Sequence, residues 1–176
     1  MSDERHDLLR KLIRDVPDFP KPGILFKDIT PLLAHPRGFT TCLDLLGEQA
    51  AKSGAESIVG MESRGFIFGA ALAARLRLPF VPARKPGKLP ADKVSVEYAL
   101  EYGTDTLEMH RDALKPGEKT LIVDDLIATG GTAKATAELV AALGAEVAGF
   151  AFVIELGFLN GRAELAPHPV HSLLVY

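Results

Sequence analysis

The sequence predicts an α/β fold whose central sheet is mainly parallel and flanked by helices. Short apolar runs typical of buried strands recur along the chain, at 56–61, 79–83, 120–125 and 146–156. Two of these runs lead through a polar loop directly into a helical pattern. Because strands that alternate with helices form parallel βαβ units, the repeated strand–loop–helix order favours a single sheet of this kind.

The N-terminal part is predicted to be less regular. Residues 3–16 carry an apolar stripe typical of an amphipathic helix, and Pro17 predicts its end. Four prolines and one glycine within 17–31 predict irregular structure before a second helix over 38–52. We therefore expect a small irregular hood over about 1–35.

Three polar loops of the core are each predicted to follow a strand. The core elements in order are the strand 56–61, the helix 66–76, the strand 79–83, a strand 94–103, the strand 120–125 with its helix, and the strand 146–156. The polar loops are 62–65, 84–93 and 124–132, and parallel packing would place them on one edge, where ligands bind in such sheets. We expect the core over about 36–160, with a flexible lid over about 84–103.

The bulk composition indicates one ordinary globular domain, 1–176. The chain is 47% hydrophobic and 24% charged with a net charge of -3, which argues against a nucleic-acid partner. No apolar run approaches the ~20 residues that span a bilayer, and the N-terminus lacks a signal-peptide core, so no membrane is expected. The single cysteine, Cys42, excludes an intrachain disulfide and favours the cytoplasm.

A candidate phosphate loop follows the strand at 120–125. Gly130 and Gly131 let backbone N–H groups point inward together, while Thr129 and Thr132 add hydroxyl donors. The helix that follows adds the partial positive charge of its N-terminus. An ordinary strand-to-helix turn with Thr132 as N-cap explains the same residues, so both interpretations stay open at this point.

The acids Asp124 and Asp125 stand directly before this loop. Neighbouring side chains of a strand point to opposite faces, so we expect both acids to lie where the strand ends and the chain turns. Adjacent carboxylates can accept hydrogen bonds from adjacent hydroxyls, which carry no charge to repel. A ribose 5-phosphate has hydroxyls on one side and a phosphate on the other, and it would satisfy both features of the stretch. An acidic cap at a loop is the alternative.

The segment VDDLIATGGT, at 123–132, resembles the phosphoribosyl pyrophosphate motif of the type I phosphoribosyltransferases. Five further segments resemble the members of that family that act on adenine: FPKPGILFKDITPLL, ESRGFIFG, RKPGKLP, LEYGTDTLEMHRDAL and IELGFLNGR. The resemblance covers most of residues 19–162. It implies the family fold and the transfer of a 5-phosphoribosyl group from phosphoribosyl pyrophosphate to adenine, giving AMP and pyrophosphate.

The resemblance also implies roles for individual residues. Asp124 and Asp125 would hold the ribose. The 5'-phosphate would be held by the backbone and hydroxyl groups of the loop residues Ala128, Thr129, Gly130, Gly131 and Thr132. Pyrophosphate would be held by Ser63, Arg64, Arg84, Lys85 and Lys88, with a cis peptide between Ser63 and Arg64. Mg²⁺ is the implied cofactor, carried by pyrophosphate and ribose oxygens without a direct protein ligand.

For the base, the resemblance implies a catalytic acid/base residue at Glu101, beside the lid residue Tyr102. Adenine would be held by Leu25, Phe26, Lys27, Leu126 and Leu156. The family suggests a homodimer, which surface leucines of the first two helices could serve. Two alternatives remain: a regulator that binds the same ligand without catalysis, and a salvage transferase for a 6-oxopurine.

Overall fold

The centre of the fold is a parallel sheet of five strands, seen in a computed structural model that describes residues 4–99 and 103–176. Its strands are β3 (Ser57–Met61), β4 (Phe80–Ala83), β7 (Lys119–Ile127), β8 (Glu146–Glu155) and β9 (Val170–Val175). Their order across the sheet is β4-β3-β7-β8-β9, and every neighbouring pair is parallel. The predicted α/β class with a mainly parallel sheet is confirmed.

Helices α4 (Gly65–Leu76) and α5 (Gly131–Ala142) connect the strands of this sheet. The first joins β3 to β4 and packs on β3 and β7, whereas the second joins β7 to β8 and packs on both of them. Because such parallel crossovers are right-handed and run in opposite directions here, the two helices lie on opposite faces. Apolar side chains of β3, β7, β8 and α5 form the buried core, with Phe150 and Phe152 stacked on each other.

A separate antiparallel hairpin lies over the start of α5. Its strands are β5 (Lys93–Ala99) and β6 (Thr104–His110), and both contact α5. A single bridge, between Arg84 and Glu108, connects the end of β4 to β6. The sequence predicted the first of these strands but not the second, which the segment TDTLEMH forms with Leu107 and Met109 buried.

The chain divides into two compact units, Met1–Leu45 and Leu46–Tyr176. The described part of the first unit contains α1 (Glu4–Lys11), β1 (Arg14–Pro17), β2 (Leu25–Asp28), α2 (Thr30–Leu33) and the part of α3 (Pro36–Ser53) up to Leu45. Strands β1 and β2 pair antiparallel, and Phe19 meets Phe26 edge to face at 5.1 Å. Lys27 donates to Asp15 at 2.6 Å across this pair.

The N-terminal prediction needs correction. The helix predicted over 3–16 ends at Lys11, because Arg14–Pro17 pair with β2 as a strand. The region expected to be irregular therefore contains a hairpin. The leucines expected on the surface of the first two long helices are largely inside: Leu9, Leu43, Leu45 and Leu46 are buried. They pack within the protein and are not available as a dimer surface.

Two long elements of the chain agree closely with the sequence prediction. The second long helix, predicted over 38–52, spans Pro36–Ser53, and the strand predicted over 146–156 spans Glu146–Glu155. Strand β9 was missed, since Val170–Val175 follows a histidine- and proline-rich stretch. Within the described residues, no helix is both long and apolar enough to cross a membrane.

Candidate active site

A cavity of about 210 Å³ opens at the carboxyl edge of the sheet, between β3 and β7. The chain leaves these two strands in opposite directions, one toward β4 and the other toward β8. Such a switch point is where ligands bind in open α/β sheets. The cavity is lined by Met61, Glu62, Arg64, Asp124, Asp125, Leu126, Ile127, Ala128, Thr129, Gly130, Gly131, Thr132, Ala133 and Phe152.

The two adjacent acids both line this cavity, yet both lie inside strand β7, which continues to Ile127. The expectation that both acids lie where the strand ends and the chain turns is therefore wrong. Asp125 is buried and accepts from Nε of Arg64 at 2.5 Å, while its own N–H donates to the Asp124 carboxylate at 2.8 Å. The switch point opens a gap beside the strand, so a carboxylate can face the cavity without leaving the sheet.

Asp124 lies against the first turn of α4. A Cβ on Gly65 would come within 2.9 Å of its Oδ1 atom and 2.8 Å of the Val123 carbonyl, so a glycine is needed there for this approach. Burial raises the pKa of Asp124 well above its ordinary value, and the neighbouring Asp125 charge raises it further. The Arg64 charge opposes the shift without cancelling it. Asp124 therefore holds a proton more readily than an exposed aspartate.

The 128–132 loop joins β7 to α5 at the wall of the same cavity. Gly130 has φ +88°, a left-handed conformation that glycine adopts without strain, and the helix begins at Gly131. The first N–H groups of a helix have no partner within it, so this loop offers donors and partial positive charge to the cavity. Thr132 is not the N-cap: that position is Gly130, without a side-chain cap.

Each of three cations beside the cavity is paired with a carboxylate of the chain. Arg64 pairs with Asp125, Arg84 with Glu62 at 3.3 Å, and Lys85 with Asp105. Glu62 also accepts from the backbone N–H of Lys85 at 2.8 Å. Burial alone would raise the pKa of Glu62, but the Lys85 N–H and the Arg84 guanidinium hold it below its usual range. This basic set is therefore internally neutralised.

Tyr98, on β5, connects the cation side to the loop. Its hydroxyl lies 3.4 Å from the Thr132 hydroxyl, 3.3 Å from the Asp105 carboxylate and 3.5 Å from the Lys85 ammonium. The Lys85 ammonium also lies 5.9 Å from the centre of the Tyr98 ring. These contacts place the hairpin directly over the start of α5.

Comparison with known proteins assigns the chain to a family. The phosphoribosyl transferase domain model matches residues 32–168. An adenine phosphoribosyltransferase of Sorangium cellulosum is 64% identical over 171 residues, covering 94% of this chain and 86% of the relative. The chain belongs to the adenine phosphoribosyltransferase family.

Solved structures agree with this assignment. The adenine phosphoribosyltransferase of Thermoanaerobacter pseudethanolicus is 48% identical, with a TM-score of 0.94 over 97% of this chain and 99% of that one. The enzyme of Saccharomyces cerevisiae, solved with an imino-altritol bisphosphate and adenine, is 41% identical, with a TM-score of 0.91 over 97% and 98%. The predicted family and its fold are confirmed.

The structure brings together the predicted ribose and 5'-phosphate residues of this family member. Asp124, Asp125, all five residues of the 128–132 loop and Arg64 line one cavity, with Leu126. Arg84 and Lys85 reach it through Glu62, which lines it. The Arg84 guanidinium also donates to the carbonyl of Lys88 at 3.3 Å. Ser63 is exposed beside Arg64.

Other predicted residues lie elsewhere or outside the described part of the chain. Leu156 does not line the cavity, and its N–H donates to the Ile127 carbonyl at 3.0 Å. The adenine-site residues Leu25, Phe26 and Lys27 form most of β2 in the first unit, where the Lys27 side chain is 8% exposed. The catalytic prediction, Glu101, and the lid prediction, Tyr102, lie outside the described residues.

The predicted cis peptide lies one bond earlier than expected. It joins Glu62 to Ser63, not Ser63 to Arg64. The Ser63 carbonyl already accepts from the N–H of Phe66 at 3.2 Å, and that of Arg64 from Ile67 at 3.1 Å. The Ser63–Arg64 peptide thus belongs to the turn that begins α4.

Sequence reasoning missed Glu62, Asp105 and Tyr98. Glu62 stands two residues before Arg64 in the ESRG loop, so its place in the loop was a usable signal. Asp105 and Tyr98 carry no such signal, since they reach the site only because β5 and β6 pair as a hairpin, with Tyr98 opposite Asp105. An acid near a basic loop is common, and only the pairing makes this one a partner of Lys85.

A larger cavity, of about 520 Å³, lies at the opposite edge of the sheet. Its lining comes from the segments before β3, β4 and β7: Glu56, Pro79, Asp112, Ala113, Lys115, Pro116, Gly117 and Glu118. This edge carries the amino ends of the strands, where ligands of open α/β sheets do not bind. Size therefore does not identify the site, and the convergence of acids, glycine loop and cations does.

Proposed function

We propose that the chain transfers the 5-phosphoribosyl group of phosphoribosyl pyrophosphate to adenine, giving AMP and pyrophosphate in purine salvage. One observation carries the proposal: the acid pair and the 128–132 loop line the same cavity, with Arg64 beside them. A ligand fits this arrangement if it has hydroxyl groups that reach the acid pair and a phosphate that reaches the 128–132 loop. The yeast relative, solved with adenine and a sugar-like bisphosphate, supports the same choice of substrates.

The 128–132 loop holds the 5'-phosphate. Its N–H groups and the Thr129 and Thr132 hydroxyls donate to phosphate oxygens, and the start of α5 adds partial positive charge. No lysine stands in the loop to follow a migrating phosphoryl group, so the phosphate stays bound during the reaction. It anchors the sugar.

Asp124 and Asp125 accept hydrogen bonds from the ribose hydroxyls. As the bond from C1 to pyrophosphate breaks, positive charge develops on the sugar, and nearby carboxylates stabilise it. Asp125 already neutralises Arg64 in the structure, so an incoming pyrophosphate exchanges one anionic partner of that arginine for another. The Asp125 carboxylate is then free to accept from the sugar hydroxyls.

Pyrophosphate is held by Ser63, Arg64, Arg84, Lys85 and Lys88. Guanidinium groups offer two parallel donors to phosphate oxygens and ammonium groups a point charge. Arg84 and Lys85 must leave Glu62 and Asp105 to do so, at partly exposed positions where ion pairs are weak. Negative charge on the departing group is stabilised by the same cations.

The donor set fits Mg²⁺ that arrives with its substrate. No group of three or more His, Cys, Asp or Glu converges within 4–99 and 103–176, whereas Asp124 and Asp125 offer oxygen donors at the cavity. Magnesium favours phosphate oxygens and water over a full protein cage, so these two acids would hold it through water. When bound, it neutralises charge on pyrophosphate.

The family resemblance assigns adenine contacts to Leu126 and Leu156 of the second unit and to Leu25, Phe26 and Lys27 of the first. Leu126 at the cavity wall and the family resemblance support this assignment. Glu101 is the proposed acceptor of the proton that adenine loses as it attacks C1, and Tyr102 is the proposed lid residue. Both roles rest on the family motif LEYG.

A homodimer in the cytoplasm completes the proposal. The single cysteine is buried, and burial raises the pKa of the Cys42 thiol to about 12, so little of the reactive thiolate forms. Sedimentation of the purified chain tests the dimer directly. If the chain sediments with the mass of a monomer at micromolar concentration, the homodimer proposal is wrong.

The activity is tested by AMP formation from phosphoribosyl pyrophosphate. Adenine should react with Mg²⁺ present and lose most activity with a chelator, while hypoxanthine, guanine and xanthine react far more slowly. Equal or faster turnover of a 6-oxopurine would overturn the base assignment. Tight binding of phosphoribosyl pyrophosphate without turnover of any purine would instead identify a non-catalytic regulator.

A further inference from the structure

The backbone of the 128–132 loop is packed against a second segment of the chain, residues 156–165. A Cβ on Gly161 would lie 2.1 Å from the Ala128 carbonyl oxygen and 2.9 Å from the Gly130 nitrogen. A Cβ on Gly130 would lie 2.4 Å from the Gly161 carbonyl oxygen. Two glycines therefore meet backbone to backbone, and neither position has room for a side chain.

The 156–165 segment is fixed by a buried acid. Glu155, the last residue of β8, has a side chain only 6% exposed, and it accepts from Nε and Nη2 of Arg162 at 2.8 and 2.6 Å. This two-pronged contact spans the bend at Asn160, which has a left-handed conformation. It sets the position of Gly161, the residue next to Arg162.

Two further contacts connect the same pieces. The N–H of Leu156 donates to the carbonyl of Ile127, the residue before the loop. Farther out, Lys134 on α5 pairs with Glu164 at 3.0 Å on the surface. The loop is thus held at its start, along its backbone and at the helix that follows it, all by one segment.

We propose that Gly161 and the Glu155–Arg162 pair are positioning residues for phosphate recognition: they hold the 128–132 loop so that its donors meet the 5'-phosphate. The inference rests on the proposed function and adds residues that do not line the cavity. Donors held in place before binding need no reordering, and a displacement of about 1 Å is enough to lose much of such an interaction.

The test compares two variants with two matched controls. Gly161→Ala inserts a methyl group into the contact, and Gly47→Ala inserts one where the nearest side-chain atom would be 3.7 Å away. Arg162→Lys keeps the charge but loses the two-pronged geometry. Arg111→Lys makes the same change in an exposed pair with Asp92. Calorimetry with ribose 5-phosphate, KM for adenine at saturating phosphoribosyl pyrophosphate, and thermal unfolding are measured for all four.

Gly161→Ala should raise the Kd for ribose 5-phosphate by about tenfold or more and Arg162→Lys by about threefold, the scale of impaired charge-assisted hydrogen bonds. In both variants, the KM for adenine should stay within about twofold of its value in the unmodified chain, a change smaller than the effect of one hydrogen bond. In both controls, the Kd for ribose 5-phosphate and the KM for adenine should stay within the same limit. A purely structural role would instead change both ligands together, in step with the unfolding temperature.

Unchanged ribose 5-phosphate affinity in folded variants would overturn the inference, as would parallel losses for both ligands. If Gly161→Ala does not fold, Arg162→Lys decides by the same criteria. Failure of the unmodified chain to bind ribose 5-phosphate would overturn the proposed function and the inference with it, so the two failures are distinct.

Discussion

The phosphate end and the cation end of the candidate site are built differently. The 128–132 loop is held by backbone packing against Gly161 and by the start of α5. Arg84 and Lys85 are instead held by carboxylates, through side chains that remain about one third exposed. One end presents donors that are already in place, and the other presents charges that already have partners.

The two ends suit a substrate that is split into two parts during the reaction. A prearranged loop binds its phosphate without reordering, which suits the part of the substrate that remains throughout the reaction. Partly exposed ion pairs are weak and exchange readily, which suits the part that leaves.

The largest effect is expected at the chemical step. Glu101→Gln removes the proposed acceptor of the adenine proton, and kcat should fall by about 10²-fold or more, as for other general acid–base residues. The Kd for ribose 5-phosphate should not change, because both ends of the site remain intact. Single-turnover kinetics and calorimetry measure the two quantities. A normal kcat would remove Glu101 from the mechanism.

The acid pair lies between the two ends. With Asp124→Asn and Asp125→Asn combined, the Kd for ribose 5-phosphate should rise by about tenfold or more, since hydrogen bonds to charged acceptors are lost. Inorganic phosphate, which has no hydroxyl-bearing sugar, should bind the variant no more weakly than the unmodified chain. Unchanged ribose 5-phosphate affinity on calorimetry would contradict the sugar role of the acids.

The internal pairs at the cation end should compete with pyrophosphate. Asp105→Asn leaves Lys85 without this partner and should tighten pyrophosphate binding by about two- to fivefold, the worth of an exposed ion pair. Lys85→Met should weaken it, and both effects should shrink at high salt. Ribose 5-phosphate is the control ligand. If Asp105→Asn weakened pyrophosphate binding, the carboxylate would be a support and not a competitor.

The smallest effect concerns stability and its dependence on pH. The pKa of Asp124 is raised, so the stability its protonated form provides is present below about 3.8 and is lost as pH rises through the folded value. The pKa of Asp105 is lowered, chiefly by Lys85, so its contribution is present above about 3.8 and is lost as pH falls through the folded value.

Opposite changes in unfolding temperature should follow. At pH 7, Asp124→Asn should unfold at a higher temperature than the unmodified chain, and Asp105→Asn should unfold lower, by no more than about 4 °C for a pair this exposed. Both differences should diminish toward pH 3. Calorimetric scans across that range measure them, and a lower unfolding temperature for Asp124→Asn at pH 7 would contradict the buried-acid interpretation.

The sequence was most informative where one short stretch contains a whole structural unit. The strand, glycine loop and helix that begin at 121 are contiguous, so the apolar run and the turn residues predict their order, while the ligand was inferred with the help of the family resemblance. The parallel order of the core strands follows in the same way, because helices alternate with them.

Contacts between segments that are far apart in the sequence could not be predicted from the sequence. Strand β1 exists because Arg14–Pro17 pair with β2, which overrides a helical pattern. Asp105 reaches Lys85 only through the hairpin, and Gly161 meets Gly130 only after β8 and β7 are side by side. Propensity does not encode such contacts, since each is made by residues that are unremarkable in their own segment.

The paired cations have a consequence for turnover. A site of bare positive charges would bind pyrophosphate strongly and then release it slowly, and product release would limit the rate. In the mechanism proposed above, Glu62, Asp105 and Asp125 re-form their ion pairs with Arg84, Lys85 and Arg64 as pyrophosphate departs. On that proposal the chain supplies its own counter-ions to the cations that pyrophosphate leaves.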